Sequence, residues 1–127
     1  MAYTDIEQGK QLLALGLDPR TADMFYLEEW RRQGKPIYKE IPEARKSAYP
    51  EDDMPCWSIG ALLDLMPNAT LSRIDEEDGR YWFCNTIQFG YNYFSYDGDY
   101  HDSPVDACIE VIGWLVRNGH IKDHLKK

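Results

Sequence analysis

The sequence predicts an α+β fold: a small three- to four-stranded antiparallel sheet, packed sandwich-like by helices at about 5–15, 58–66 and 104–118. Three observations carry this expectation. Clear apolar spacing of helical period is concentrated in those stretches, each preceded by a residue able to cap a helix. Between the second and third helices lie alternating runs rich in β-formers, joined by an Asp-Gly pair. Finally, 127 residues with 43% hydrophobic and 13% aromatic content fit one compact domain spanning 1–127 and oppose intrinsic disorder.

Thr4 and Glu7 have the spacing of a capping box, and a helix follows with Ile6, Leu12, Leu13 and Leu15 turned inward. Gly16 supplies a left-handed residue to end it. Asp18-Pro19 reads as a second start, leading into a helix of one or two turns over Thr-Ala-Asp-Met-Phe-Tyr-Leu. The texture changes at about 31–55, which holds four of the seven prolines and, between 31 and 46, six of the fourteen basic residues. Only 36–41 resembles a strand there, so the stretch reads as a Pro-rich surface loop.

Ser58 caps the next helix, Ile59, Leu62, Leu63 and Met66 form its stripe, and Pro67 stops it. Strands follow at about 71–75 and 80–88, with Glu76-Glu77-Asp78-Gly79 as a hairpin turn. Tyr81, Phe83, Asn85 and Ile87 share one face of the second strand; Trp82, Cys84 and Thr86 share the other. A third strand at about 91–96 is expected to end at an Asp97-Gly98-Asp99 turn, with 36–41 extending the meander. Ser103, Pro104 and Asp106 start the last helix, and Asn118-Gly119 ends it. Its stripe of Val105, Cys108, Ile109, Ile112, Leu115 and Val116 is widened by Ala107, Val111 and Trp114. Only Asp106, Glu110, Gly113 and Arg117 form a polar line.

The 22 acids against 14 bases give a net charge of −8. That balance opposes direct nucleic-acid contact and docking on anionic lipid. The longest apolar runs, 12–17 and 111–116, are far short of a membrane span. The opening Met-Ala-Tyr-Thr-Asp-Ile-Glu-Gln-Gly-Lys lacks the pattern of a secretory signal, so a cytoplasmic setting is expected. Cys56, Cys84 and Cys108 lack ligand-like spacing and read as reduced thiols.

Nine of the seventeen aromatic residues fall between Tyr81 and Tyr100. Core packing with a cross-strand ladder is the first expectation; a protein or ligand surface is the second. His120 and His124 have the i, i+4 spacing of paired ligands, and His101 stands near Asp99 and Asp102. A structural or accidental origin accounts for the His120/His124 pair, and a polar loop role leading into the Ser103 cap accounts for His101. The acids of 51–53, 75–78 and 97–99 sit at turns, where carboxylates are solvated and poorly suited to proton transfer. No phosphate loop, nucleophile elbow, Cys-x-x-Cys pair or His-Glu-x-x-His motif occurs. No catalytic, cofactor-binding or metal-binding residue is therefore assigned. Tyr91, Tyr93, Tyr96, Trp114, Tyr38 and Tyr49 are the candidate interaction surface.

The stretch Pro55-Cys56-Trp57-Ser58-Ile59-Gly60-Ala61-Leu62-Leu63-Asp64-Leu65-Met66-Pro67, followed by the aromatic hairpin and Asp102-Ser103-Pro104-Val105-Asp106-Ala107-Cys108, resembles small uncharacterised proteins of phages, prophages and mobile elements. It is similar to the phage α-β-α sandwich domain over about 55–119, with Met66 where that pattern has leucine. The resemblance implies helices against a small antiparallel sheet in a bacterial or phage-infected cytoplasm. It implies no reaction. The expectation is a non-enzymatic accessory protein acting through an unknown protein partner or self-association. The alternatives are an acidic decoy that inhibits a nucleic-acid-binding protein and a small hydrolase or metal-binding enzyme around His101.

Overall fold

A computed structural model describes residues 2–26, 36–38 and 54–126. The fold is α+β. In chain order it comprises α1 (Ile6–Ala14), β1 (Met24–Tyr26), β2 (Ile37–Tyr38), β3 (Met54–Cys56), α2 (Ile59–Asp64), β4 (Thr70–Glu76), β5 (Gly79–Gln88), β6 (Phe94–Asp97) and α3 (Pro104–Arg117). The strands form two antiparallel sheets, ordered β2-β1-β3 and β4-β5-β6. Most of the expected 31–55 loop lies outside the described residues.

The N-terminal start differs by one residue from the expected box. Asp5 is the cap, accepting from the Gln8 amide at 2.8 Å, while the Gln8 side chain accepts from the Asp5 amide at 2.9 Å. Thr4 is fully buried instead. Its Oγ1 accepts from the Trp57 amide at 3.0 Å, its own amide donates to the Trp57 carbonyl at 2.9 Å, and its carbonyl accepts from the Tyr26 hydroxyl at 2.6 Å. One residue thus ties the N-terminus to both β1 and the entry into α2.

The helix expected after Asp18-Pro19 is a single 3-10 turn, Pro19–Thr21, capped by the Asp18 side chain as its sequence suggests. Met24, Phe25 and Tyr26 then run extended, with all three buried. A short run without a polar side suits a central strand better than a surface helix. It pairs with β3 on one side and β2 on the other. The strand expected at 36–41 therefore belongs to a different sheet from the meander.

The hairpin of β4 and β5 turns through Glu77-Asp78, with Glu76 opposite Gly79. Strand β6 begins at Phe94, because 89–93 forms the connecting turn and Gly90 there takes a φ of +96°. Ser103 caps α3, accepting from the Asp106 amide. Val105, Ala107, Cys108, Val111, Ile112, Gly113 and Leu115 are buried along that helix. Its apolar side lies against β5, α2 and α1. Trp57 is fully buried, and Trp82 and Trp114 pack against the same core. All three cysteines are free and buried. A smaller cluster of Met24, Tyr26 and Cys56 joins the other sheet to α1 through Ile6. Among the described residues no helix is long and apolar enough to cross a membrane.

The buried Thr4 hydroxyl makes a direct test of this assembly. Thr4→Val keeps the shape but leaves the Trp57 amide without its acceptor, a loss of about 1–3 kcal/mol. Urea unfolding followed by tryptophan fluorescence is expected to show that loss in the midpoint, with the slope unchanged.

Candidate functional site

Strands β5 and β6 pair in step from Gln88↔Phe94 to Asn85↔Asp97, but the next pairing along the chain, Trp82↔His101, is one residue out of step. An extra residue on one strand is a β-bulge. It opens where the Gly98 amide donates to the Cys84 carbonyl at 2.9 Å. Only glycine fits this approach, since a Cβ would stand 2.7 Å from that carbonyl oxygen, a backbone atom with little room to yield. Side chains alternate along a strand, so one inserted residue exchanges the faces of those after it. Tyr100 consequently lies with Tyr81 and Phe83 on the outer face, and His101 turns inward toward α3.

Glu110 of α3 holds the inward side of this bulge. Its Oε1 accepts from the Asp99 amide and from His101 Nε2, each at 2.8 Å, and its Oε2 accepts from the Tyr96 hydroxyl. Burial raises the affinity of this carboxyl for its proton, but the hydrogen bonds from Tyr96, His101 and the Asp99 amide outweigh burial and hold its pKa below the ordinary value. The same hydrogen bond, with burial, pushes the Tyr96 hydroxyl up to about 12. A carboxylate so occupied is a structural clamp.

The outer face is different in kind. Tyr100 stacks on Phe83 and Tyr81 with ring centroids 5.5 and 6.1 Å away. Together with Ile87 these rings make a stripe along β5 about 20 Å long. It leads to the turn after β5, where Phe89 is 69%, Tyr93 is 62% and Tyr91 is fully exposed; Tyr100 is 53% exposed. Asn85 lies on this face, and its Oδ1 is buried with no hydrogen-bond partner among the described residues.

Of the candidate surface residues, Tyr91 and Tyr93 are exposed in the turn after β5. Tyr96 and Trp114 are not free. Their rings stack on each other at 4.7 Å, and Trp114 also meets Phe94 and His120. Tyr96 stands opposite the buried Thr86, on the inner face of the sheet, and α3 covers that face. The backbone of Tyr38 pairs with Met24; its side chain and the whole of Tyr49 lie outside the described residues.

The three histidines are held apart. His101 pairs with Glu110 and not with the carboxylates of Asp99 or Asp102. His120 stacks on Phe94 at 3.8 Å, whereas His124 lies in a separate 3-10 turn, so the pair never shares a helix face. Ser58 Oγ donates to Asp23 Oδ2 at 2.5 Å and accepts from the Ala61 amide at 3.1 Å, which commits the hydroxyl to capping α2. Among the described residues no group of three histidine, cysteine or acidic side chains is placed to hold a metal. Two adjoining clefts, of about 380 and 430 Å³, share Asp64, Leu65 and His124 in their walls.

Glu110 as the clamp escapes sequence inspection because its three partners come from other elements. Its one visible signal is a lone charge in the middle of a largely apolar helix, between Asp106 in the first turn and Arg117 in the last. Phe89 and Tyr100 were visible as members of the aromatic cluster; the missing information was the bulge that turns Tyr100 outward. Comparison with family models, curated proteins and solved structures returns no match to this chain.

The clamp predicts an acid dependence of stability. The folded pKa of Glu110 is depressed, so its contribution is present above the unfolded value of about 4.5 and is lost as pH falls through the folded value. Thermal unfolding from pH 7 to pH 3 is expected to show wild type losing more stability than Glu110→Gln below about pH 4.5. At pH 7 the variant should be about 1–3 kcal/mol less stable.

Proposed function

We propose that this protein is a non-enzymatic accessory protein that works by contact with another protein, through the aromatic outer face of β5 and the 89–93 turn. The observation that carries this function is the exposure of Tyr100, in a stacked ring array on the outer face of β5, and of Phe89, Tyr91 and Tyr93 in and beside the turn to which that strand leads. Such exposure costs solubility when nothing covers it, and tyrosine is favoured at contact hot spots because a rigid ring loses little entropy and carries a polar tip. The resemblance to phage and mobile-element proteins supports a bacterial or phage-infected cytoplasm as the setting.

Photo-crosslinking tests the contact. A benzoylphenylalanine placed at Tyr91 or Tyr100 is expected to give discrete adducts in the cells that carry the protein, whereas the same probe at exposed Glu7 of α1 should give none. An adduct of twice the chain mass would identify self-association as the contact. Absence of adducts at both Tyr91 and Tyr100, or equal adducts at all three positions, would contradict the function.

A further inference from the structure

The charge around the aromatic face is one-sided. Residues 70–102 contain seven acids, Asp75, Glu76, Glu77, Asp78, Asp97, Asp99 and Asp102, against two basic residues, Arg73 and Arg80. This segment accounts for a net −5 of the chain's −8. Both arginines are spent on the same carboxylate: Arg80 lies 3.0 Å and Arg73 3.6 Å from Asp75. Among the described residues no lysine or arginine pairs with the other six acids. Their side chains are exposed. Several crowd the ring array directly. The Tyr81 hydroxyl donates to Asp78 at 2.8 Å, and the charges of Asp78, Asp102 and Glu76 all push its pKa upward.

An exposed ring, Tyr100, stacked on the half-buried Tyr81 and Phe83 and set among carboxylates that no lysine or arginine of the described residues pairs, suits one kind of side chain. A guanidinium group is planar, stacks on a tyrosine face and forks two hydrogen bonds to a carboxylate. Lysine matches the charge alone. The stripe from Tyr81 to Ile87 is about 20 Å long with side chains at every second residue, so an extended chain with a cation at alternate positions would present its cations to it.

We infer that the outer face of the β4-β5-β6 sheet receives an extended, arginine-bearing segment of a partner protein, its guanidinium groups stacked on Tyr100 and Tyr81 and paired with the surrounding carboxylates. The inference rests on the contact function proposed above and names the chemistry of the partner. It also explains how an acidic chain acquires a specific partner: the carboxylates attract and orient the segment, and the rings discriminate among cations.

Three synthetic peptides test it: four Arg-Thr repeats, four Lys-Thr repeats and four citrulline-Thr repeats. Citrulline keeps the shape of arginine without the charge. Isothermal titration at low salt is expected to show the arginine peptide binding about fivefold or more tightly than the lysine peptide, and the citrulline peptide not binding. Tyr100→Ser should weaken the arginine peptide about fivefold and leave the lysine peptide nearly unchanged. Asp78→Asn with Asp102→Asn should weaken both, and circular dichroism confirms that each variant is folded.

Equal binding of arginine and lysine peptides, unaltered by Tyr100→Ser, would overturn the inference in favour of unspecific charge attraction. Failure of the arginine peptide to bind would also overturn it. Crosslinks at Tyr100 alongside such a failure leave the contact function standing and remove only the basic partner. Absence of those crosslinks removes the contact function itself.

Discussion

The one-residue bulge at Gly98 is the constraint on which the character of this sheet depends. A strand offers its side chains two directions, and the inserted residue decides which of Tyr100 and His101 receives each one. Gly98 permits the close approach to the Cys84 carbonyl, and Glu110 secures it from the opposite side by binding residues before, within and after the bulge. Without the extra residue, Tyr100 would face α3 and His101 would face solvent. The outward aromatic array and the half-buried carboxylate clamp are two consequences of the same irregularity.

The rest of the architecture keeps that division in place. Helix α3 is buried over most of its circumference and covers the inner face, where Trp82, Cys84, Tyr96 and Phe94 join its apolar residues in one core. The Cys84 and Cys108 thiols belong to this layer, where the neighbouring Cys84 thiol and burial push the Cys108 thiol up. With the inner face committed to α3, the outer rings remain available for a contact.

Much of this was legible in the sequence, and the legible parts share a cause. Ser58, Ser103, Pro104, Gly16 and the Asp78-Gly79 turn act over three or four residues, so their effect is written locally. The alternation of 81–87 likewise gives the two faces of β5, because period two is a property of one strand. Sequence inspection goes astray where distant partners decide. Thr4 and Asp5 both offer a capping side chain, and Thr4 is withdrawn only because Trp57 needs its hydroxyl. Met24-Phe25-Tyr26 follows a genuine cap and proline, yet pairing with β3 and β2 draws it into a strand. The candidate surface was split similarly: Tyr91 and Tyr93 are exposed by their turn, while Tyr96 is taken inward by strand parity and Trp114 is held by rings from β6 and His120.

The bulge makes a claim about direction that side-chain chemistry can read. Tyrosine nitration of the free protein at neutral pH, followed by peptide mass mapping, measures which phenol rings solvent reaches. Tyr91, Tyr93 and Tyr100 should react early, while Tyr26 and Tyr96 stay protected until the protein unfolds. Protection of Tyr100 to the same degree as Tyr96 would place it against α3, and would contradict both the bulge and the outward aromatic face that follows from it.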